Sequence, residues 1–178
     1  MAHVQEKKGL TLVYTGEGKG KTTAGLGLLL RAWGSGLRVG CMQFIKSPER
    51  VIGERIALEK MGISLLTLGK GFVFKPYNRA EHYDAAMEAW ELTQQTILSQ
   101  KYDMLMLDEF TYLLHFQWIA PGLFAGWLRE HKPNSLHLII TGRYAPEALI
   151  EYADMVSEVK EVKHHYHIGI GAQAGIEF

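Results

Sequence analysis

Cysteine is nearly absent: Cys41 is the only one, so no internal disulfide can form. It lies in the apolar run Val39 to Ile45, which points to a buried thiol in a reducing compartment and not to a nucleophile. Charge of one sign is lacking too. Nineteen lysines and arginines balance nineteen acidic residues, and no global basic field points to nucleic acid. No apolar run approaches membrane-spanning length, and Met1 to Lys8 is polar, unlike a secretory signal. These absences lead us to expect a soluble cytoplasmic protein with no membrane or nucleic-acid partner. Repeats, linkers and low-complexity segments are also missing. The chain of 178 residues is therefore expected to form one domain over 1–178, with residues 1–9 as a flexible N-terminus.

What the sequence does have is glycine in one telling place. Thr15-Gly16-Glu17-Gly18-Lys19-Gly20-Lys21-Thr22-Thr23 follows the apolar run Leu10 to Tyr14 and leads into Ala24 to Trp33, a strand, a glycine loop and a helix. Backbone N–H groups in such a turn converge on phosphate oxygens, and the helix N-terminus adds partial positive charge. Lys21 supplies a full charge and Thr22 a hydroxyl suited to magnesium. The usual spacing is G-x-x-x-x-G-K-[ST]; here Thr15 takes the first glycine position, and Gly16 and Gly18 supply the flexibility.

Apolar runs at 38–44, 63–68, 104–107, 136–140 and 155–162 read as further strands. Helices are expected from Lys21 to Gly34 or Gly36, over 51–61, from an Asn78 cap to about Gln100, over 110–119, 121–130 and 146–153. In the long helix, Tyr83, Met87, Trp90, Gln94 and Ile97 form the expected stripe. This alternation predicts a single doubly wound α/β domain with a mostly parallel sheet. Ligands of such sheets sit beyond the carboxyl ends of the strands. The glycine loop, Asp108-Glu109 and Thr141-Gly142-Arg143 all follow strands, so they are expected at one edge.

Asp108 and Glu109 would hold a cation directly or through water, with Thr22 as a third oxygen. Arg143 offers a planar fork to a phosphate, or equally a surface ion pair. Phe72 and Phe74, in the glycine-rich and aromatic loop 69–78, suit either the core or the wall of a site for a large flat ligand. His164, His165 and His167 suggest a metal, but no matching set of acidic or cysteine ligands lies nearby, and they are expected to be exposed tail residues. On residues alone the cradle serves several ends. It fits a hydrolase or kinase in which Glu109 orients water or a hydroxyl, a nucleotide-dependent binding module, or a transferase.

The motif set resembles the P-loop ATP:corrinoid adenosyltransferases, also called cob(I)alamin adenosyltransferases. The pieces carrying the resemblance are the glycine loop, Gln43-Phe44-Ile45-Lys46, Gly71-Phe72-Val73-Phe74, Asn78-Arg79, Leu107 to Tyr112, Ile140 to Arg143, Val162-Lys163-His164 and Ala172 to Ile176. The resemblance implies a P-loop NTPase-like fold and a homodimer. It implies a transferase in which the cobalt of a reduced corrinoid attacks the 5′ carbon of ATP and releases triphosphate, in adenosylcobalamin synthesis or corrinoid salvage. It also implies an electron donor such as a flavoprotein, and Mg2+ or Mn2+ as cofactor. Carried over residue by residue, Lys21, Thr22 and Glu109 are catalytic, and Gly16, Glu17, Gly18, Lys19, Gly20, Lys21, Thr22, Thr23 and Arg143 bind ATP. The metal falls to Thr22 and Glu109, with Asp108 as a neighbour. Phe72 and Phe74 take the corrinoid, packing where the lower axial ligand of cobalt would sit. In the family the second aromatic is commonly tryptophan, where this chain has Phe74. Some members also have a longer N-terminal segment that folds over a partner's active site; here only residues 1–9 precede the first strand.

Overall fold

The wholly apolar runs become the inner strands of one sheet, because a strand covered on both faces has no solvent side to leave polar. The computed structural model describes residues 8–45, 52–69 and 79–177. Its strands are β1 (Thr11–Thr15), β2 (Val39–Gln43), β3 (Ser64–Thr67), β4 (Met104–Asp108), β5 (His137–Thr141) and β6 (Met155–Glu158). They lie in the order β3-β2-β4-β5-β1-β6, and every pairing is parallel, including those at the edges. All five positions of β2 and of β4 are buried, whereas edge strands β3 and β6 stay half open to solvent.

Helices α1 (Lys21–Gly34), α2 (Gly53–Lys60), α3 (Arg79–Leu98), α4 (Thr111–His115), α5 (Pro121–His131) and α6 (Glu147–Tyr152) cover both faces. Successive side chains of a strand point to opposite sides, and the core divides accordingly. Leu105, Leu107, Leu138 and Ile140 pack with Trp90 of α3, Phe124 of α5 and Leu149 of α6. Met104, Met106 and Ile139 pack with Leu29 of α1 and Leu58 of α2. Such a two-sided wrap is the doubly wound arrangement expected. The approach of α1 is close: a Cβ on Gly25 would lie 2.7 Å from the Met106 methyl and 3.1 Å from Thr141 Cγ2.

Several local expectations shift. Of the stripe expected on α3, Trp90 and Ile97 are buried, whereas Tyr83 and Met87 are exposed and Ala86, Ala89 and Thr93 complete the buried face. Small residues there let the helix lie close to its neighbours. Gly34 stays helical, and Gly36 alone of the two takes a left-handed φ, +83°. The expected helix over 110–119 stops at His115, with Gln117 at φ +57°. The last strand ends at Glu158 rather than near 162, because the chain then turns over the glycine loop. Cys41 is buried as expected. The expected Asn78 cap and the corrinoid candidates Phe72 and Phe74 lie outside the described residues.

Candidate active site

At the carboxyl edge of the sheet, the glycine loop joins β1 to α1. Gly16 and Gly20 take φ of +100° and +108°, conformations a side chain would strain. Gly20 caps α1 without any side-chain bond, so no cap side chain takes up the first-turn amides, the groups that bind anions at a helix start. Gly16 and Gly18 serve a second purpose: a Cβ on either would meet the backbone of Val159 or Lys160 within 3 Å. The Gly18 N–H donates to the Val159 carbonyl at 2.8 Å. That amide, expected to face phosphate, is spent on the C-terminal tail.

Lys21 is buried to 7% exposure, and its Nζ donates to the Gly18 carbonyl at 2.6 Å. Burial pulls its pKa below the ordinary lysine value, while nearby Glu109 opposes that pull. A triphosphate would give the ammonium the anionic partner that the loop carbonyl only approximates.

Asp108 ends β4 fully buried. Its Oδ1 accepts Thr22 Oγ1 at 2.8 Å and Thr141 Oγ1 at 2.7 Å, and its Oδ2 accepts Gln43 Nε2 at 3.1 Å. Parallel register sets this up by pairing Gln43 with Asp108 and Leu107 with Ile140, so β2, β4 and β5 end together. Thr141 Oγ1 in turn accepts the Glu109 N–H at 3.1 Å. Glu109 itself sits at φ +63°, strain of the kind that gathers at functional sites. Thr22, Asp108 and Glu109 thus form a set of hard oxygen donors at one strand end, which suits Mg2+ or Mn2+.

Arg143 pairs with Glu17 across the loop, Nη1 to Oε2 at 3.1 Å, as the ion-pair reading expected. Gly142 at φ +136° lets the chain pass Thr111, whose Oγ1 donates to the Arg143 carbonyl at 2.6 Å. Tyr112 is pushed up to about 12, by burial first and by Glu109 second, so its hydroxyl keeps its proton.

Lys21, Thr22, Asp108, Glu109 and Arg143 therefore come together as expected. Sequence reasoning did not single out Gln43 and Thr141 as the partners of Asp108. A polar residue closing each buried strand was the available signal. It also left the tail histidines exposed and unpartnered; His167 is exposed as expected but meets Glu161 at 2.7 Å, whereas the His164 and Glu177 side chains are only 12% and 13% exposed and lie 3.9 Å apart. Separation in sequence hid Glu177.

A parallel sheet with a glycine loop entering α1, and a Thr-Asp-Glu oxygen set beside its lysine, defines a P-loop nucleotide-binding protein. The profile of the ATP:corrinoid adenosyltransferase BtuR/CobO/CobP family matches residues 7–178, and the chain belongs to that family. It is 40% identical to a corrinoid adenosyltransferase of Sinorhizobium sp. over 181 residues, covering all of this chain and 84% of that protein. To the corrinoid adenosyltransferase of Escherichia coli K12 the identity is 37% over 180 residues, covering 100% and 90%. Corrinoid adenosyltransferase of Pseudomonas aeruginosa is 32% identical over 180 residues, covering 100% and 88%. The protein is a transferase that moves the adenosyl group of ATP to a corrinoid.

Proposed function

We propose that the glycine loop holds the triphosphate of ATP while the cobalt of a reduced corrinoid attacks the 5′ carbon. A Co–C bond forms, the C5′–O bond breaks, and its electron pair leaves with triphosphate as cobalt passes from the +1 to the +3 state. The observation that carries this assignment is the 2.8 Å bond from Thr22 to Asp108, which ties the loop's hydroxyl to the carboxylate edge beside Lys21. The nucleophile comes from the cosubstrate, so no side chain has to act as general base. The protein's work is to position both partners and to stabilise charge on the leaving group.

Lys21 and the amides at the start of α1 take up that developing charge. Gly16, Glu17, Lys19, Gly20, Thr23 and Arg143 line the same cradle, and Arg143 is held over it by Glu17. A magnesium or manganese ion on Thr22, Asp108 and Glu109 would neutralise phosphate oxygens. Phe72 and Phe74 are proposed as the apolar wall that keeps a lower axial ligand and water from cobalt. We further propose a homodimer working in the cytoplasm, with a flavoprotein supplying the electron. A buried lone thiol fits a reducing compartment. Among the described residues, no helix is long and apolar enough to cross a membrane.

The test is to mix protein, ATP, magnesium and chemically reduced cobalamin, follow loss of the cob(I) absorption and identify the phosphate product. Adenosylcobalamin with intact triphosphate is expected. ADP and orthophosphate as the only products would overturn the proposal.

A further inference from the structure

The C-terminal tail lays a carboxylate on the glycine loop. Glu177 Oε1 lies 2.8 Å from Lys19 Nζ, 3.4 Å from His165 Nε2 and 3.9 Å from His164 Nε2. The lysine's hydrogen bond holds the Glu177 carboxyl below the usual glutamate range. Tail and loop also touch through the bond from Gly18 N–H to the Val159 carbonyl and through the tight fit of Gly16 and Gly18 against Val159 and Lys160.

Two histidines and a glutamate with ligand atoms within 4.8 Å have the makings of a metal site. Proton placement argues against it. His164 Nδ1 accepts the Tyr166 backbone N–H at 3.1 Å, so the proton of the neutral ring sits on Nε2, the nitrogen nearest Glu177. A protonated nitrogen donates and cannot coordinate. The oxygen it faces is already held by the Lys19 ammonium. Lys19 thus hydrogen-bonds this oxygen while two imidazole edges stand at 3.4 and 3.9 Å, a setting that suits an anion.

We propose that Lys19, His164 and His165 form an anion subsite for the end phosphate of the triphosphate chain, and that Glu177 fills it as an internal stand-in until that phosphate arrives. The proposal rests on the assignment of the glycine loop to triphosphate. Arrival of the phosphate expels Glu177 and loosens the tail over 159–177 from the loop.

The experiment is calorimetric titration of the full chain with inorganic triphosphate, ATP and AMP at fixed ionic strength, using wild type, Glu177→Gln, Lys19→Gln, their double variant and Lys21→Ala. Removing the competitor is expected to tighten triphosphate and ATP by up to about fivefold, the scale of one exposed ion pair. AMP affinity should not change. Lys19→Gln should weaken triphosphate, and Glu177→Gln should add nothing on that background. Unchanged or weaker triphosphate binding by Glu177→Gln, or an equal gain for AMP, overturns the subsite. If Lys21→Ala still loses triphosphate in that case, the loop assignment survives; if Lys21→Ala binds like wild type, the loop assignment itself fails. Hydrogen exchange on the wild type provides a check without variants. Triphosphate should speed exchange over 159–177, and slower or unchanged exchange there overturns the release.

Discussion

Asp108 shows how much one buried carboxylate organises. It takes three hydrogen bonds from Thr22, Thr141 and Gln43, and so fixes the hydroxyl of the loop to the end of β4. In Asp108→Asn an amide N–H must face one of those donors. A loss of about 1–3 kcal/mol in urea unfolding is expected, together with weaker ATP binding. Lys21→Ala removes the charge aimed at the leaving group, and a fall in kcat on the order of 100-fold is expected in the cob(I) assay. Tyr112 gives a pH signature. Its folded-state pKa is raised, to about 12 from 10.0, so its contribution is whole below pH 10 and is lost as pH rises towards 12. Tyr112→Phe should flatten that alkaline loss in thermal unfolding; Tyr152, also raised by burial, adds to the loss in the same direction.

At the scale of elements, the turn after β5 depends on Gly142. A side chain there runs into the Thr111 hydroxyl, and φ of +136° is strained for any other residue. Gly142→Ala should cost roughly 1–3 kcal/mol in denaturant unfolding, and trimming Thr111 to alanine should restore only the steric part. Which elements could be read from the sequence follows from what defines them. β2 and β4 are apolar up to their closing Gln43 and Asp108 because both faces are covered, so the runs 38–44 and 104–107 stood out. The glycine loop was readable because its chemistry is local, from Gly16 to Thr23. The stripe of α3 was readable only in part: Trp90 and Ile97 are buried, but Tyr83 and Met87 are exposed, because packing favours the smaller Ala86 and Ala89. No periodicity announces that Glu177 meets Lys19, a contact 158 residues apart in sequence.

For the molecule as a whole, several carboxylates set the acid limit of stability. Asp154 is held low by Lys8 and then by the Thr11 N–H, Glu161 by His167, and Glu177 by Lys19. Depressed folded-state values mean that their contribution is present above the ordinary carboxylate range and fades as pH falls through the lowered values. The melting temperature should therefore decline below about pH 4.5, and Asp154→Asn should make that decline shallower. Asp154 bridges Lys8 and the start of β1, so its loss also frees the Lys8 side chain.

The bare α-carbon at Gly25 acts as a spacer gauge for the whole catalytic edge. Its missing methyl sets how far the first helix stands from Met106 and Thr141, and Lys21 and Thr22 ride on that helix. An alanine there would press on a flexible methionine tip, so the sheet should survive the change. The helix would stand off by a few tenths of an ångström, enough to stretch the Thr22 to Asp108 link. Nucleotide affinity, more than melting temperature, would record so small a shim.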